Sequence, residues 1–365
     1  MAGKDYLAHF QHKRLNEVVI PGAHDAGVFT ANKGNVRTQR RNIGEQAQDG
    51  CRFFDMRIAV NEIKVGGKTV YEHQAYHLDG KAVIGKKDKS QSVSHLGGWG
   101  GRLTDMLIQA RNFVMQNKSE FLILKFSKSF DWEGIAETAL VILEGYHYKD
   151  GGNLNNQKVR DLAGQVITVF DEPEMVHLAA IKARFGKRAD GLMPIRPLFD
   201  GKTSRAYDPN FEGMQYFGKF SSTSDIADNT KKQAKILNEG AATHIDALGM
   251  MYWTTTGWVA NIEKRNAKMW SDTNIASLQK TWESGLEAAI SARFGREKDA
   301  AMQLAMTTGG ALGGRLKAFM PNIVMMDFVN ADKCETVRQL NAVASTALLS
   351  LYVPTPKGPQ PHPKP

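Results

Sequence analysis

Two cysteines in 365 residues, Cys51 and Cys334, leave no material for a disulfide framework, and without a CxxC pair they offer no thiolate metal site. No apolar run approaches the ~18 residues that a membrane-crossing helix needs. The opening Met1-Ala-Gly-Lys-Asp-Tyr6 lacks the basic-then-apolar order of a secretory leader. Ala2 stands where N-myristoylation needs glycine. Neither leader nor lipid anchor is therefore expected, and the compartment stays open between cytoplasm and non-classical export. Zinc-finger, RRM and KH signatures are missing too, which weakens nucleic acid as the partner of a chain with net charge +9 and pI near 9.3. An anionic membrane surface is the stronger expectation. No internal repeat or compositional break divides the chain before Pro354. Residues 1–353 read as one domain and the Pro-rich 354–365 as a disordered tail.

What is present is ordinary globular material, 42% hydrophobic and 23% charged, enough for one large core. Strand-like runs fall at 18–20, 52–60, 69–73, 121–126, 166–170, 214–220, 248–254 and 322–329. Helical spacing of apolar residues falls at 43–48, 102–118, 132–146, 273–294 and from Val337 to Leu351, with Asp131 an N-cap and Gly50 a helix stop. Pro194 and Pro197 make residues 172–212 read as irregular. Eight strands alternating imperfectly with helices predict an α/β fold, a single irregular (β/α)8 TIM-type barrel.

The chain is organised around Val18-Val-Ile-Pro-Gly-Ala-His-Asp25. An apolar run, ended by Pro21-Gly22, delivers His24 and Asp25 at a strand end, where barrels keep their chemistry. A strand-end turn with a solvated histidine is the bland alternative. In Arg52-Phe-Phe-Asp-Met-Arg57 two charges, Asp55 and Arg57, stand two residues apart and so share one strand face. Buried charges need partners, and a structural ion pair is one reading. Lys68-Thr-Val-Tyr-Glu-His73 carries another histidine at a strand end, with His77 close behind, and Asp327 ends the last strand. Two histidines, two carboxylates and an arginine converging on one mouth suit in-line attack on a phosphodiester, with one proton removed, one supplied and phosphate charge neutralised.

These stretches resemble bacterial phosphatidylinositol-specific phospholipase C of the X-domain type. The matching residues are Ile20-Pro-Gly-Ala-His-Asp25, Thr38-Gln39 leading through Gln46 and Gly50 to Arg52–Arg57, Thr69–His73, and Val324-Met-Met-Asp327-Phe-Val-Asn330. The resemblance implies that His24 is the general base, oriented by Asp327. It implies that His73 is the general acid coupled to Asp25, with His77 its rival because Gln74 stands where the family has glycine. Arg57 would bind the phosphate. The family's calcium-dependent members carry Asn after the first histidine and an acidic residue in place of Arg57. The resemblance thus implies no metal and no cofactor. It further implies a phospholipid or inositol phosphodiester substrate cleaved by intramolecular attack to a cyclic phosphate, peripheral contact with an anionic membrane, and a monomer. Lys125 and Tyr216 are the candidate substrate-binding residues. Lys128 reads more readily as solvated. Asp171, Tyr216 and Gly218 depart from the residues that grip the inositol ring in the family. Trp253, Trp258 and Trp270 cluster near the seventh strand. Trp253 suits the core, and the other two suit core or membrane interface equally. The competing functions are a lipid-binding barrel with impaired catalysis and a metal-dependent glycerophosphodiester phosphodiesterase, which would want an acidic mouth rather than Arg57.

Overall fold

Eight short parallel strands pair in chain order and close on themselves: β1 Ile20–Ala23, β2 Phe53–Met56, β3 Leu122–Phe126, β4 Val166–Asp171, β5 Leu192–Phe199, β6 Met214–Gly218, β7 Leu248–Tyr252 and β8 Ile323–Met326, with β8 returning to β1. This computed structural model describes residues 8–32, 35–77, 84–85, 91–92, 97–243, 246–256, 261–278, 281 and 321–352. Trp258, most of the expected helix 273–294 and the Pro-rich tail lie outside the described residues. The barrel is the (β/α)8 type that the sequence predicts.

Side-chain alternation sorts the core into two layers. Phe53, Ile123, Met250, Ile323 and Met325 fill the barrel interior with their neighbours. Phe54, Met56, Leu124, Met251, Val324 and Met326 face outward and pack beneath the helices, including Leu103–Gln116 and Trp132–Ile142. Continued towards the C-terminal strand ends, the inward parity of β2, β3, β4 and β6 reaches Asp55, Lys125, Asp171 and Tyr216. The site is therefore the top layer of the interior, where apolar filling gives way to charge.

Three local expectations change. The Pro21-Gly22 pair lies within β1 rather than ending it, with Pro21 opposite Val324 and Gly22 opposite Met325. A Cβ on Gly22 would stand 2.5 Å from Met325 Sδ, so glycine there makes room for the eighth strand. The fifth barrel strand, Leu192–Phe199, runs through the segment that Pro194 and Pro197 make look irregular. Leu192, Met193, Ile195 and Leu198 are buried, and its register to β6 shifts between Pro197 and Phe199, an irregularity of the kind that accommodates a missing N–H. Conversely, residues 69–73 are no barrel strand. They belong to Lys68–His77, which pairs antiparallel with Ile58–Val65 and Gly98–Arg102 in a separate sheet rooted on the barrel mouth.

Candidate active site

β1 leads directly into His24, whose backbone N–H donates to Met326 O at 2.9 Å, so the first and last strands are stitched together at the histidine. Gln39 reinforces the seam. Its Nε2 donates to His24 O at 2.9 Å and Met326 O at 3.1 Å, and its Oε1 accepts from Val329 N at 3.0 Å. The next residue, Asp25, has φ 43°, a left-handed conformation that Asp tolerates better than most and that recurs at functional sites. Thr38 Oγ1 donates to Asp25 O at 2.9 Å. Gln46 Nε2 holds Ala26 O from the helix Ile43–Gln48, which Asn42 and Glu45 cap reciprocally.

His24 is buried, and its Nδ1 lies 3.0 Å from Asp327 Oδ1. A carboxylate can only accept, so Nδ1 carries the proton and neutral His24 presents a bare Nε2 towards the mouth. Asp327 is itself fixed, since its Oδ2 accepts from Asn266 Nδ2 at 3.0 Å. Lys333 Nζ donates to the carbonyls of Asp327 and Phe328, both at 2.9 Å. Burial and the loss of hydration push Lys333 down to about 8.

Asp25 is the hub. Its Oδ1 lies 2.9 Å from Arg57 Nε, and its Oδ2 lies 3.6 Å from His24 Nε2 and 3.5 Å from His77 Nε2. Burial would raise the Asp25 carboxyl, but Arg57, His24 and His77 together hold it below its ordinary 3.8. For His24 burial works downward, and the carboxylates of Asp25 and Asp327 outweigh it, leaving the imidazole above 6.5. His77 feels burial most strongly, opposed by Asp25 and reinforced by Arg57 and His24, and falls below 6.5.

Beside this cluster opens a cavity of about 210 Å³ lined by Asp55, Arg57, Lys125, Lys128, Asp171, Asp200, Tyr216, Lys219 and Tyr252 among others. Both candidate substrate-binding residues are in it. Lys125 Nζ lies 3.1 Å from Asp55 Oδ1 and 5.9 Å from the Tyr216 ring centroid. Asp55 also accepts from Ser127 Oγ at 2.7 Å. Burial opposes the Asp55 charge, yet Lys125 and Arg57 hold the carboxyl down to about 2. The sequence rule that Asp55 and Arg57 share a face holds, but their partners are Lys125 and Asp25 rather than each other. Lys128 lines the cavity as well while remaining exposed to solvent, as its sequence suggests. Its φ is 47°, and its backbone N–H donates to Asp171 Oδ2 at 3.3 Å. Burial raises Asp171 above its ordinary value.

His73 is not part of the constellation. His73 lies farther out along the strand Lys68–His77, where it pairs with Asp131 at 2.9 Å, at the start of the helix Trp132–Ile142. Four residues further on, at the strand's inner end, His77 reaches Asp25. The coupling to Asp25 expected of His73 therefore belongs to His77. Asn266, Lys333 and Gln39, which brace Asp327 and His24, carried no chemical signal of their own in the sequence, although Thr38-Gln39 was among the matching residues. Trp253 is buried with its Nε1–H donated to Thr273 Oγ1 at 2.8 Å, and Trp270 packs against the core beneath Lys333, so neither is an exposed interfacial residue.

His24, Asp25 and Asp55 each offer a donor atom within 4.8 Å of one another, the spacing of a possible cation site. The guanidinium of Arg57 and the ammonium of Lys125 already pair with the two carboxylates, and a divalent ion there would face both positive charges at close range. The donor set does not suit a metal.

Comparison with solved structures places this architecture beside phosphatidylinositol-specific phospholipase C from Staphylococcus aureus, seen as its F249X mutant. The match has TM-score 0.50 and 14% identity, covering 92% of this chain and 97% of that one. The enzyme of the same name from Listeria monocytogenes gives TM-score 0.49 and 12% identity over 92% and 98%. At such identity the likeness is one of fold. No protein-family model matches the sequence, and neither does any curated protein.

Proposed function

We propose that the protein is a phosphodiesterase that cleaves phosphatidylinositol or a related lipid phosphodiester, by attack of a head-group hydroxyl on the phosphorus, without a metal ion. The observation that carries this reading is the Asp25 hub, whose carboxylate lies against Arg57, His24 and His77 beside a cavity lined with charged side chains. In the proposed reaction His24 Nε2 takes the proton of the attacking hydroxyl, and Asp327 stabilises the imidazolium that forms. The new P–O bond closes a cyclic phosphate. The bond to the lipid oxygen breaks, and His77 protonates the departing alkoxide. Arg57 neutralises the charge gathering on the phosphoryl oxygens, the service a cation would otherwise supply. Asp25 positions both Arg57 and His77. Asp55, Lys125 and Tyr216 are proposed to hold the head group in the cavity.

The test is mass spectrometry of a total lipid extract incubated with the protein, with and without excess chelator. Diacylglycerol and a cyclic phosphodiester are expected in both arms. Loss of turnover in chelator, restored by calcium, would refute the metal-free mechanism, and lipid binding without turnover would favour the impaired-barrel reading. Asp171, Tyr216 and Gly218 replace ring-gripping groups, so selectivity for phosphatidylinositol over other phospholipids at matched surface charge should be weak. A site that leaves polyol hydroxyls unpaired gives up discrimination.

The electrostatics also predict a pH profile. The base, His24, must be neutral and sits above 6.5, while the acid, His77, must be protonated and sits below 6.5. Below both values the base is protonated, so kcat/KM should rise with pH. Between them loss of the acid offsets gain of the base and the profile is flat. Above both it falls. The breaks belong to the coupled pair rather than to either residue alone. With an aryl leaving group that needs no proton, the alkaline fall should vanish. Its persistence would remove His77 from the acid role.

A further inference from the structure

We propose that the hairpin built from Ile58–Val65 and Lys68–His77 seats the protein on an anionic phospholipid bilayer, with its Gly66–Gly67 tip entering the interface. Both ends of the hairpin are rooted in the candidate site. Ile58 follows Arg57, and the return strand ends on His77. The root is buried at Ile58, Ala59, Ala75 and Tyr76, whereas the outer half carries Val65 at 53% exposure, Val70 at 37% and Tyr71 at 50%. Ten residues of antiparallel strand reach about 30 Å from the mouth.

The register puts Ile63 opposite Val70 and Val65 opposite Lys68, so one face of the tip is a small apolar cluster edged by lysine. Tyr71 stands on the other face, opposite Glu62. Between Ile63 and Tyr71 there is no carboxylate, and Lys64 and Lys68 flank the turn. Apolar tips edged by lysine match an interface whose surface is negative and whose depth is apolar. The rest of the mouth agrees. Among the described residues seven large hydrophobics are markedly exposed. Val65, Val70 and Tyr71 follow β2, Val176 follows β4 and Phe220 follows β6, so five lie on segments leaving the C-terminal strand ends. The other two, Met115 and Val141, lie near the far ends of their helices, on the opposite face. Exposed apolar groups gathered on one face mark an interaction surface. A bilayer suits it better than a second copy, since two copies would oppose lysine to lysine.

This proposal takes its purpose from the lipid phosphodiester reading, but its test does not depend on that reading. Binding to phosphatidylcholine vesicles with and without phosphatidylglycerol would be measured by sedimentation. The triple variant Val65→Ser, Val70→Ser, Tyr71→Ser should bind phosphatidylglycerol vesicles at least about tenfold more weakly. Lys64→Gln with Lys68→Gln should lose most of the preference for phosphatidylglycerol and most of the sensitivity to salt. A Val65→Trp reporter should shift to shorter emission wavelength on vesicles, which reads the tip without removing its apolar groups. Turnover of a water-soluble phosphodiester should be unchanged in the triple variant while lipid turnover falls. If no phosphodiester is turned over, the proposed function fails, and the vesicle result still decides the docking surface. Wild-type vesicle binding by the triple variant, or an unshifted reporter, would overturn the proposal. So would a wild-type dimer that the triple variant dissolves without losing vesicle binding.

Discussion

Replacing His77 with alanine should lower kcat on a lipid phosphodiester by about 10²–10⁴-fold, the usual worth of a positioned acid or base. His24→Ala should fall in the same range. The two variants should part company when the leaving group changes. With an aryl phosphodiester, whose oxygen departs without a proton, His77→Ala should recover most of its loss and His24→Ala should recover none, because the attacking hydroxyl still needs its base. Asp327→Asn should cost less than His24→Ala, since it orients the ring without touching substrate. His73→Ala should leave both substrates within about twofold of wild type, since surface substitutions away from the chemistry have small effects. The measurement is steady-state kinetics of each variant on both substrates, with circular dichroism to show that each is folded. A crippled His73→Ala beside a nearly normal His77→Ala would reverse the assignment made from the 3.5 Å separation of His77 and Asp25.

The placement of these two histidines shows where sequence reasoning stopped. Period-two alternation is local physics, so the shared face of Asp55 and Arg57 and the apolar strands around them were legible without any structure. Deciding which histidine of His73-Gln-Ala-Tyr-His77 stands at the mouth requires the direction of the strand that carries them. Its apolar spacing reads as a barrel strand, and it is instead the return arm of a hairpin. A signal for the hairpin was present: Val65-Gly66-Gly67-Lys68 puts two glycines between extended arms, and both adopt positive φ, 56° and 78°, as a two-residue hairpin turn demands. Reading it would have removed residues 69–73 from the barrel and left one strand to find. The missing strand lay behind Pro194 and Pro197, where a local rule against proline in sheets was overridden by burial of Leu192, Ile195 and Leu198. The braces of the site were not legible. Asn266 reaches Asp327 across 61 positions of chain, and a lone asparagine on an amphipathic helix announces nothing.

The largest stability effect is expected away from the mouth, at a residue the sequence grouped with the site. Arg52 opens the Arg52–Arg57 stretch, but alternation turns it outward from the barrel, beneath the helices Ile43–Gln48 and Leu103–Gln116. There it is fully buried with Glu120, Nε to Oε2 at 2.9 Å. Its Nη1 donates to Ala47 O and Cys51 O, both at 2.8 Å, and the guanidinium lies 4.9 Å from the Phe113 ring centroid. The Ala47 and Phe113 contacts tie two helices to the start of β2, and the Glu120 pair ties that start to the start of β3. Two charges taken out of water repay little by their attraction alone, but removing one strands the other in a dry site, at a cost of about 3–5 kcal/mol. Glu120→Ala should therefore lower the unfolding free energy by that amount, read as a shift of the urea midpoint at unchanged slope. Arg52→Met combined with Glu120→Leu, which leaves no stranded charge, should recover most of the loss. Neither change touches the Asp25 hub, so surviving folded protein should keep its kcat. A Glu120→Ala loss below about 1 kcal/mol, within the range of an exposed pair, would show that water reaches Arg52 and that the pair is not the internal clamp its burial describes.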